Sequence, residues 1–366
     1  MENEKRLFLD VHVIQTLPPS NINRDDTGSP KTAQYGGIRR ARVSSQSWKR
    51  AIREYFNKNG ELKNVGVRTL SIAEYVARKI VDKESTISFE DAIKMAEDTL
   101  NIVGIKTTKD HKVKALFFLG DEQASRLAKA AMEGIKDKNE LKNIINANPS
   151  VDIALFGRMV ADDPSLNEDA SCQVAHAIST HAVQNEFDFY TAIDDLSAED
   201  NAGAGMLGNI EYNSSTMYRY ANIAVHELFR QLGDRYSTVN TIKLFIEAFS
   251  NSLPTGKINT FANQTIPDAV IVTLREDRPI NAVGAFEEPV RSYEGFVKKS
   301  IEKLSKELMK VEKFVKKPLY SAYVSMEDIE SLKNCSNEMN SLDILKNDLA
   351  NILTNKINEI AEGEEL

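Results

Sequence analysis

Six positive charges stand between Arg39 and Arg53 (Arg39, Arg40, Arg42, Lys49, Arg50, Arg53) with no negative charge among them. In residues 20–58 nine basic residues face three acidic ones, a local net of +6 in a chain whose total is -8, so the remainder carries -14. Such a local concentration is the footprint of a polyanion partner even when the global balance is acidic. Other residue types could do chemistry, and their spacing argues against it. Asp25–Asp26, Asp162–Asp163 and Asp194–Asp195 are adjacent pairs; two-metal hydrolysis needs converging carboxylates, and neighbours on a strand point to opposite faces. His176 and His181 lie five apart, which is no zinc spacing. In "SSQSWK" the residue three before Lys49 is Gln46, so no S-x-x-K nucleophile is present. There is no GxxxxGK[ST], GxGxxG or GxSxG, and the Gly-Gly of "YGGIRR" alone is weak support for a phosphate cradle. The sequence predicts binding without catalysis, metal or cofactor.

The elements that must position the basic run follow from periodicity. Residues 7–17, "LFLDVHVIQTL", alternate, which predicts a half-buried strand with Leu7, Leu9, Val11 and Val13 inward and Asp10 and His12 on the other face. A loop of Pro, Asn, Asp and Gly over "PPSNINRDDTGSPK" leads to a short strand at "GGIRRARVS". "SSQSWKRAIREYF" then reads as a helix, N-capped by Ser44 or Ser45. Trp48, Ile52 and Tyr55 face the core, and Lys49, Arg50 and Arg53 share the opposite side. A helix start combines backbone N–H groups with these side chains, which suits phosphates rather than base edges.

Residues 60–147 carry apolar residues at helical spacing almost throughout and read as an inserted helical lobe. Strand-like runs return at 150–160, 172–183, 214–225, 268–274 and 318–325, with helices at about 237–252, 286–313 and 340–361. This order predicts an α+β fold, one mixed or antiparallel sheet carrying helices. "SAEDNAGAGMLGNIEY", residues 197–212, is too small and flexible for core and reads as a loop that grips something. At 366 residues the chain has room for about two lobes. Two cysteines, Cys172 and Cys335, with no CxxC, fit a reducing compartment. An N-terminus without a secretory apolar stretch, and no run of eighteen apolar residues, lead us to expect a cytoplasmic protein with no membrane partner.

The stretch "INRDDTGSPKTAQYGGIRRARVSSQSWKRAIR", followed in order by "VDIALFGRM", "AHAISTH", "DFYTAIDDL" and "MYRYANI", resembles the signature of the CasC (Cse4) family, the backbone subunit of the type I-E CRISPR Cascade complex. The resemblance covers residues 7–225 and, more loosely, the rest. It implies a palm like the RNA recognition motif, a ferredoxin-like arrangement, with a helical finger and a glycine-rich thumb loop. The parts are then palm 1–59, finger 60–148, palm 149–196, thumb 197–213, and palm with C-terminal helices 214–366. It further implies head-to-tail copies in a helical filament along one crRNA, presented for pairing with target DNA. The other partners would be the large, small, 5'-end-capping and RNA-processing Cascade subunits. Guide contact is assigned by resemblance to Arg24 and Lys31 in the loop, to Ser44, Gln46, Lys49, Arg50 and Arg53 around the helix, and to Arg158 and Met159. Met206 and Leu207 are the wedge candidates at the thumb tip. An alternative of another class is a metal-dependent ribonuclease using thumb-proximal Asp194, Asp195 or Asp200.

Overall fold

The computed structural model describes residues 5–59, 64–192 and 206–364. Residues 193–205, with Asp194, Asp195 and Asp200, and the side chain of Met206 lie outside the described residues.

In chain order, β1 (Phe8–Ser20) is followed by the hairpin β2 (Thr32–Tyr35) and β3 (Ile38–Val43), and by α1 (Ser45–Asn59). The turn between β2 and β3 is Gly36–Gly37, both at positive φ (60° and 75°), as a two-residue I′ turn requires. The Gly-Gly of "YGGIRR" therefore serves strand reversal. Next come β4 (Gly66–Thr69), α2 (Ile72–Lys83), α3 (Phe89–Ile102), β5 (Phe117–Gly120), α4 (Asp121–Met132) and α5 (Lys138–Asn146). These elements enclose a core of their own, in which Ile72, Val76, Leu100, Leu119, Leu127 and Leu141 are buried. The expectation of helix alone is corrected by the antiparallel pair β4–β5, with Gly66 opposite Gly120; "FFLG" is a short aromatic run that pairs rather than coils.

The chain returns through α6 (Val151–Phe156), β6 (Cys172–Val174), β7 (Ala177–Ser179), β8 (Glu186–Ala192) and β9 (Met206–Ala224). The strand expected at 150–160 is the helix α6. Five of its six residues, Asp152 among them, are buried, and a short run buried on all sides has no period to tell helix from strand. The loop expected at 197–213 is likewise strand from Met206 onward, where β9 pairs with β8 from Met206↔Ala192 to Tyr212↔Glu186. Last come α7 (Val225–Leu232), α8 (Arg235–Asn251), α9 (Ile258–Phe261), β10 (Ala269–Arg275), α10 (Val297–Val311), β11 (Tyr320–Ser325), α11 (Glu330–Lys333), β12 (Asn337–Glu338) and α12 (Leu342–Glu364).

One ten-stranded sheet runs β12-β11-β10-β1-β9-β7-β3-β2, with β6 and β8 also paired to β9. Its ladders are antiparallel except β11–β12. β1 lies between β9 and β10 and is covered on both faces. Leu9, Val11 and Val13 pack with Ile52 and Phe56 of α1, with α8 and with α12. Ile14 packs on the other face with Phe286 and with Ile301 and Leu304 of α10. Asp10 and His12, expected on a free face, are fully buried there. Alternation in β1 separates an aliphatic layer from a polar buried one, in which Tyr220 donates to Asp10 (2.7 Å) and Tyr218 pairs with His12 Nδ1 (2.9 Å). Among the described residues no helix is long and apolar enough to cross a membrane.

Candidate nucleic-acid interface

α1 is set by contacts at its first turn. The Ser47 N–H donates to the Ser44 carbonyl (3.0 Å) and reaches its Oγ at 3.4 Å, which makes Ser44 the cap. The Ser44 N–H donates to Asn23 Oδ1 (2.8 Å) and the Ser45 N–H to His176 Nδ1 (3.0 Å). His176 is thereby an acceptor, and burial beside Arg42 and Lys31 lowers its affinity for a proton. His181 is separately engaged: Nε2 accepts from the Thr216 N–H (3.1 Å), and its ring stacks on Phe296 at 3.7 Å. Further along α1, Trp48 lies under the guanidinium of Arg219, 3.7 Å from the ring centroid, which fixes the helix on the sheet.

The opposite side of α1 opens on a cleft of about 440 Å³. It is lined by Gln46, Lys49, Arg50 and Arg53 of α1, by Arg68 and Phe118 of the β4–β5 pair, and by Phe156, Arg158 and Met159. Lys49 sits over the Phe156 ring at 5.5 Å and Arg53 over Phe118 at 5.2 Å, so aromatic faces hold both cations in place while their charge faces the cleft. Burial lowers the Arg53 pKa, against the favourable charge of Asp152. Arg50 pairs with Glu54 at 2.8 Å in an exposed contact of small worth, so it remains exchangeable.

Arg50 also lines a second cleft of about 560 Å³ with Arg24, Asp25, Asp26 and Lys257. Arg24 and Lys257 continue into a third, about 260 Å³, bounded by Phe187, Asn209 and Glu211 of the β8–β9 hairpin. The three share residues end to end and make one groove from the helical lobe, past α1, to the hairpin. Its loop wall is ordered by Asp25, whose Oδ1 accepts from the Thr27 N–H (2.9 Å), the Thr27 hydroxyl (2.7 Å) and the Ser29 N–H (3.0 Å). These bonds, the Thr27 hydroxyl first, hold its carboxyl below the usual range.

The structure therefore brings Arg24, Gln46, Lys49, Arg50, Arg53, Arg158 and Met159 onto one groove and sets others apart. Ser44 is buried beneath the helix start. Lys31 is half-buried in a small recess with Arg42 and Asn213, which adjoins the second cleft through Ile22 and Asn23. Arg158 is 4% exposed, and its guanidinium donates to the carbonyls of Leu166 (2.7 Å) and Ile145 (3.2 Å) and to Asn146 Oδ1 (3.0 Å). Burial pushes it down to about 10, and its donors are spent on the protein. Met159, next in sequence, is 85% exposed. Leu207, 63% exposed, shares one face of the hairpin with exposed Phe187 and Phe189. Of the alternating arginines, Arg40 turns fully inward and donates to the carbonyls of Tyr35, Ser179 and Phe286 rather than to a carboxylate.

Sequence reasoning missed Arg68 and Lys257. Arg68 belongs to a strand read as helix. Lys257 stands alone in a loop, at φ 51°, with Gly256 packed so tightly on the Ile22 carbonyl that a Cβ would overlap it. Among the described residues no three His, Cys, Asp or Glu side chains stand close enough to hold a metal ion.

The model of the family described as CT1975-like protein matches residues 9–348. A chain of a "CRISPR RNA-guided surveillance complex, pre-nicking" is 32% identical, covers 94% of this chain and 100% of its own length, and superposes with a TM-score of 0.84. A chain of a second "CRISPR RNA-guided surveillance complex" is 27% identical over 94% of this chain and 99% of its own, with a TM-score of 0.74. No curated protein matches significantly.

Proposed function

The chain belongs to the CT1975-like protein family and is a Cascade-type CRISPR protein; from that premise we propose that it is the non-catalytic backbone subunit of a type I-E complex, of the CasC kind, which binds guide crRNA by its phosphates. The observation that carries this reading is the groove joining Arg68, Arg53, Lys49, Arg50, Arg24 and Lys257 past one helix. Its cations come from four separate segments and converge on three clefts that share residues end to end. Lysines and arginines aimed at a backbone give affinity without sequence preference, and sequence choice is then left to base pairing. Exposed Met159 at one end of the groove, and Leu207 with Phe187 on the hairpin at the other, are apolar side chains of the kind that wedge between bases.

A contact surface that is not its own partner generates an open filament, and copies stacked in that way would join their grooves into one channel. The expected partners are crRNA, target DNA, further copies of this chain and the other Cascade subunits. The experiment is co-expression with a CRISPR array and the neighbouring subunits, followed by purification and sizing of protein and nucleic acid. Several copies on one RNA of discrete length support the scaffold. An RNA-free single copy overturns it, and regular cleavage of complementary RNA in Mg²⁺ would move the activity to the aspartates at 194, 195 and 200.

A further inference from the structure

A second basic surface lies on the other side of the sheet. Residues 291–317 hold nine basic residues against four acidic ones in a chain of net charge -8. Most belong to α10, whose Ile301, Leu304 and Leu308 are buried with Ile14, Tyr218 and Phe286. That is the face of the sheet opposite to the one on which α1 packs through Ile52 and Phe56. At about 100° per residue, Lys299, Lys303, Lys306 and Lys310 fall within an arc of roughly 60° directed away from this core, and Lys313 follows in the turn after the helix.

The helical lysines follow one another at alternating steps of four and three, so each has a like charge on a neighbouring turn, which disfavours a helix left alone, while Glu302 and Glu307 lie on the flanks of the row. A solvated face is instead laced with opposite charges, as in Arg50–Glu54 on α1 and Glu122–Arg126 on α4. Here Glu307 meets Lys310 at 3.7 Å from the flank and Glu288 meets Lys303 at 3.4 Å. Lys299, Lys306 and Lys313 have no carboxylate within ion-pair distance among the described residues. Two aromatic side chains bracket the stripe: Tyr293, 108% exposed, before the helix, and Phe314, 92% exposed, after it.

Lysine is depleted at contacts between proteins, whereas a track of cations set with aromatic platforms is how unpaired strands are held, phosphates on the cations and bases on the rings. A duplex offers phosphates but no free base face. We infer that the outer face of α10, with Tyr293 and Phe314, is a docking surface for single-stranded DNA. The choice of DNA rests on the proposed function: a guide that pairs with one strand of a DNA duplex displaces the other, and the unpaired strand then needs a seat away from the guide groove.

The test is titration of the guide-loaded protein with a fluorescent oligothymidylate of about 20 nucleotides that the guide cannot pair with, read by anisotropy at several salt concentrations. The triple variant Lys299→Ala, Lys306→Ala, Lys313→Ala should bind it about tenfold more weakly or worse, with a salt slope smaller by about 2, some 0.7 per phosphate. Tyr293→Ala and Phe314→Ala should each cost about fivefold or more. Retained guide and copy number should not change. Unaltered oligothymidylate affinity in the lysine variant overturns the inference. So does loss of that affinity in Lys49→Ala alone, which would put the DNA in the guide groove, or loss of subunit assembly in place of DNA affinity, which would make the face a protein contact. A wild-type chain that purifies without guide sinks the proposed function instead; lysine-dependent binding by that guide-free chain would still uphold the α10 surface.

Discussion

Lys49 and Arg158 line one cleft and differ in what their charges are free to meet. Lys49 rests on an aromatic ring with its ammonium facing the groove, so Lys49→Ala should weaken RNA binding to a similar degree for all sequences. The salt slope should fall by about 0.7, one single-strand phosphate; a loss confined to one guide sequence would contradict backbone reading. Arg158 spends its donors on the carbonyls of Leu166 and Ile145 and on Asn146. Arg158→Ala should therefore lower stability by about 2–4 kcal/mol in denaturant titration, because buried acceptors lose their partner. A fully stable variant that merely loses RNA would assign Arg158 to the guide. The buried layer of β1 makes a third prediction. Burial pushes Asp10 up to about 7 from 3.8, although Tyr220, the Ile280 N–H and, at 3.8 Å, Arg275 oppose it, and burial lowers His12 from 6.5 to about 3. Folding takes up a proton at Asp10 between those values, so its contribution to stability is lost as pH rises through 7. Folding sheds a proton at His12, so its contribution is lost as pH falls below 6.5. The slopes oppose one another across about pH 4–6.5. His12→Gln should leave stability that declines relative to wild type as pH rises from about 4 to 7. Asp10→Asn should leave a decline on acidification, with both read by chemical denaturation over pH.

Among the elements, the turn between β2 and β3 makes the sharpest prediction. Gly36 combines φ 60° with a position where any Cβ would overlap the Glu287 carbonyl, and neither backbone can yield cheaply. Gly36→Ala should cost about 3 kcal/mol or more in unfolding free energy, whereas Gly37→Ala meets no neighbouring atom and bears only the cost of its positive φ. Helix α1 is legible in the sequence because its cap, its apolar period and its charged side all agree, and the basic wall of the groove comes with it. The central strands are legible as strands, but not their double burial: alternation marks two faces, and Asp10 and His12 look solvent-bound until Tyr218 and Tyr220 are known to lie opposite. α6 is illegible for the reason given by its all-round burial. The groove's far wall is illegible because Arg68 and Lys257 join it only through tertiary approach, across roughly 20 and 200 residues of chain.

At the scale of the whole molecule, positive charge is gathered along the groove and along α10 while the total stays at -8, and a net negative charge keeps free copies dispersed. Lengthening the spacer of the guide should add copies of the chain in whole steps at a constant number of nucleotides per copy, measured by native mass spectrometry. Copy number independent of RNA length would argue for a closed oligomer. The position of β1 has a consequence for how the molecule comes into being. β1 leaves the ribosome long before its partners, for it pairs on one side with residues 213–224 and on the other with residues 269–275. At about 5–20 residues per second of synthesis, its apolar face waits tens of seconds for a partner that has not yet been translated. Long-range pairing of this kind also folds slowly. A stalled or truncated product ending before residue 213 would leave β1 open on both edges, and one ending before residue 269 would leave its β10 edge open, in either case a template for aggregation.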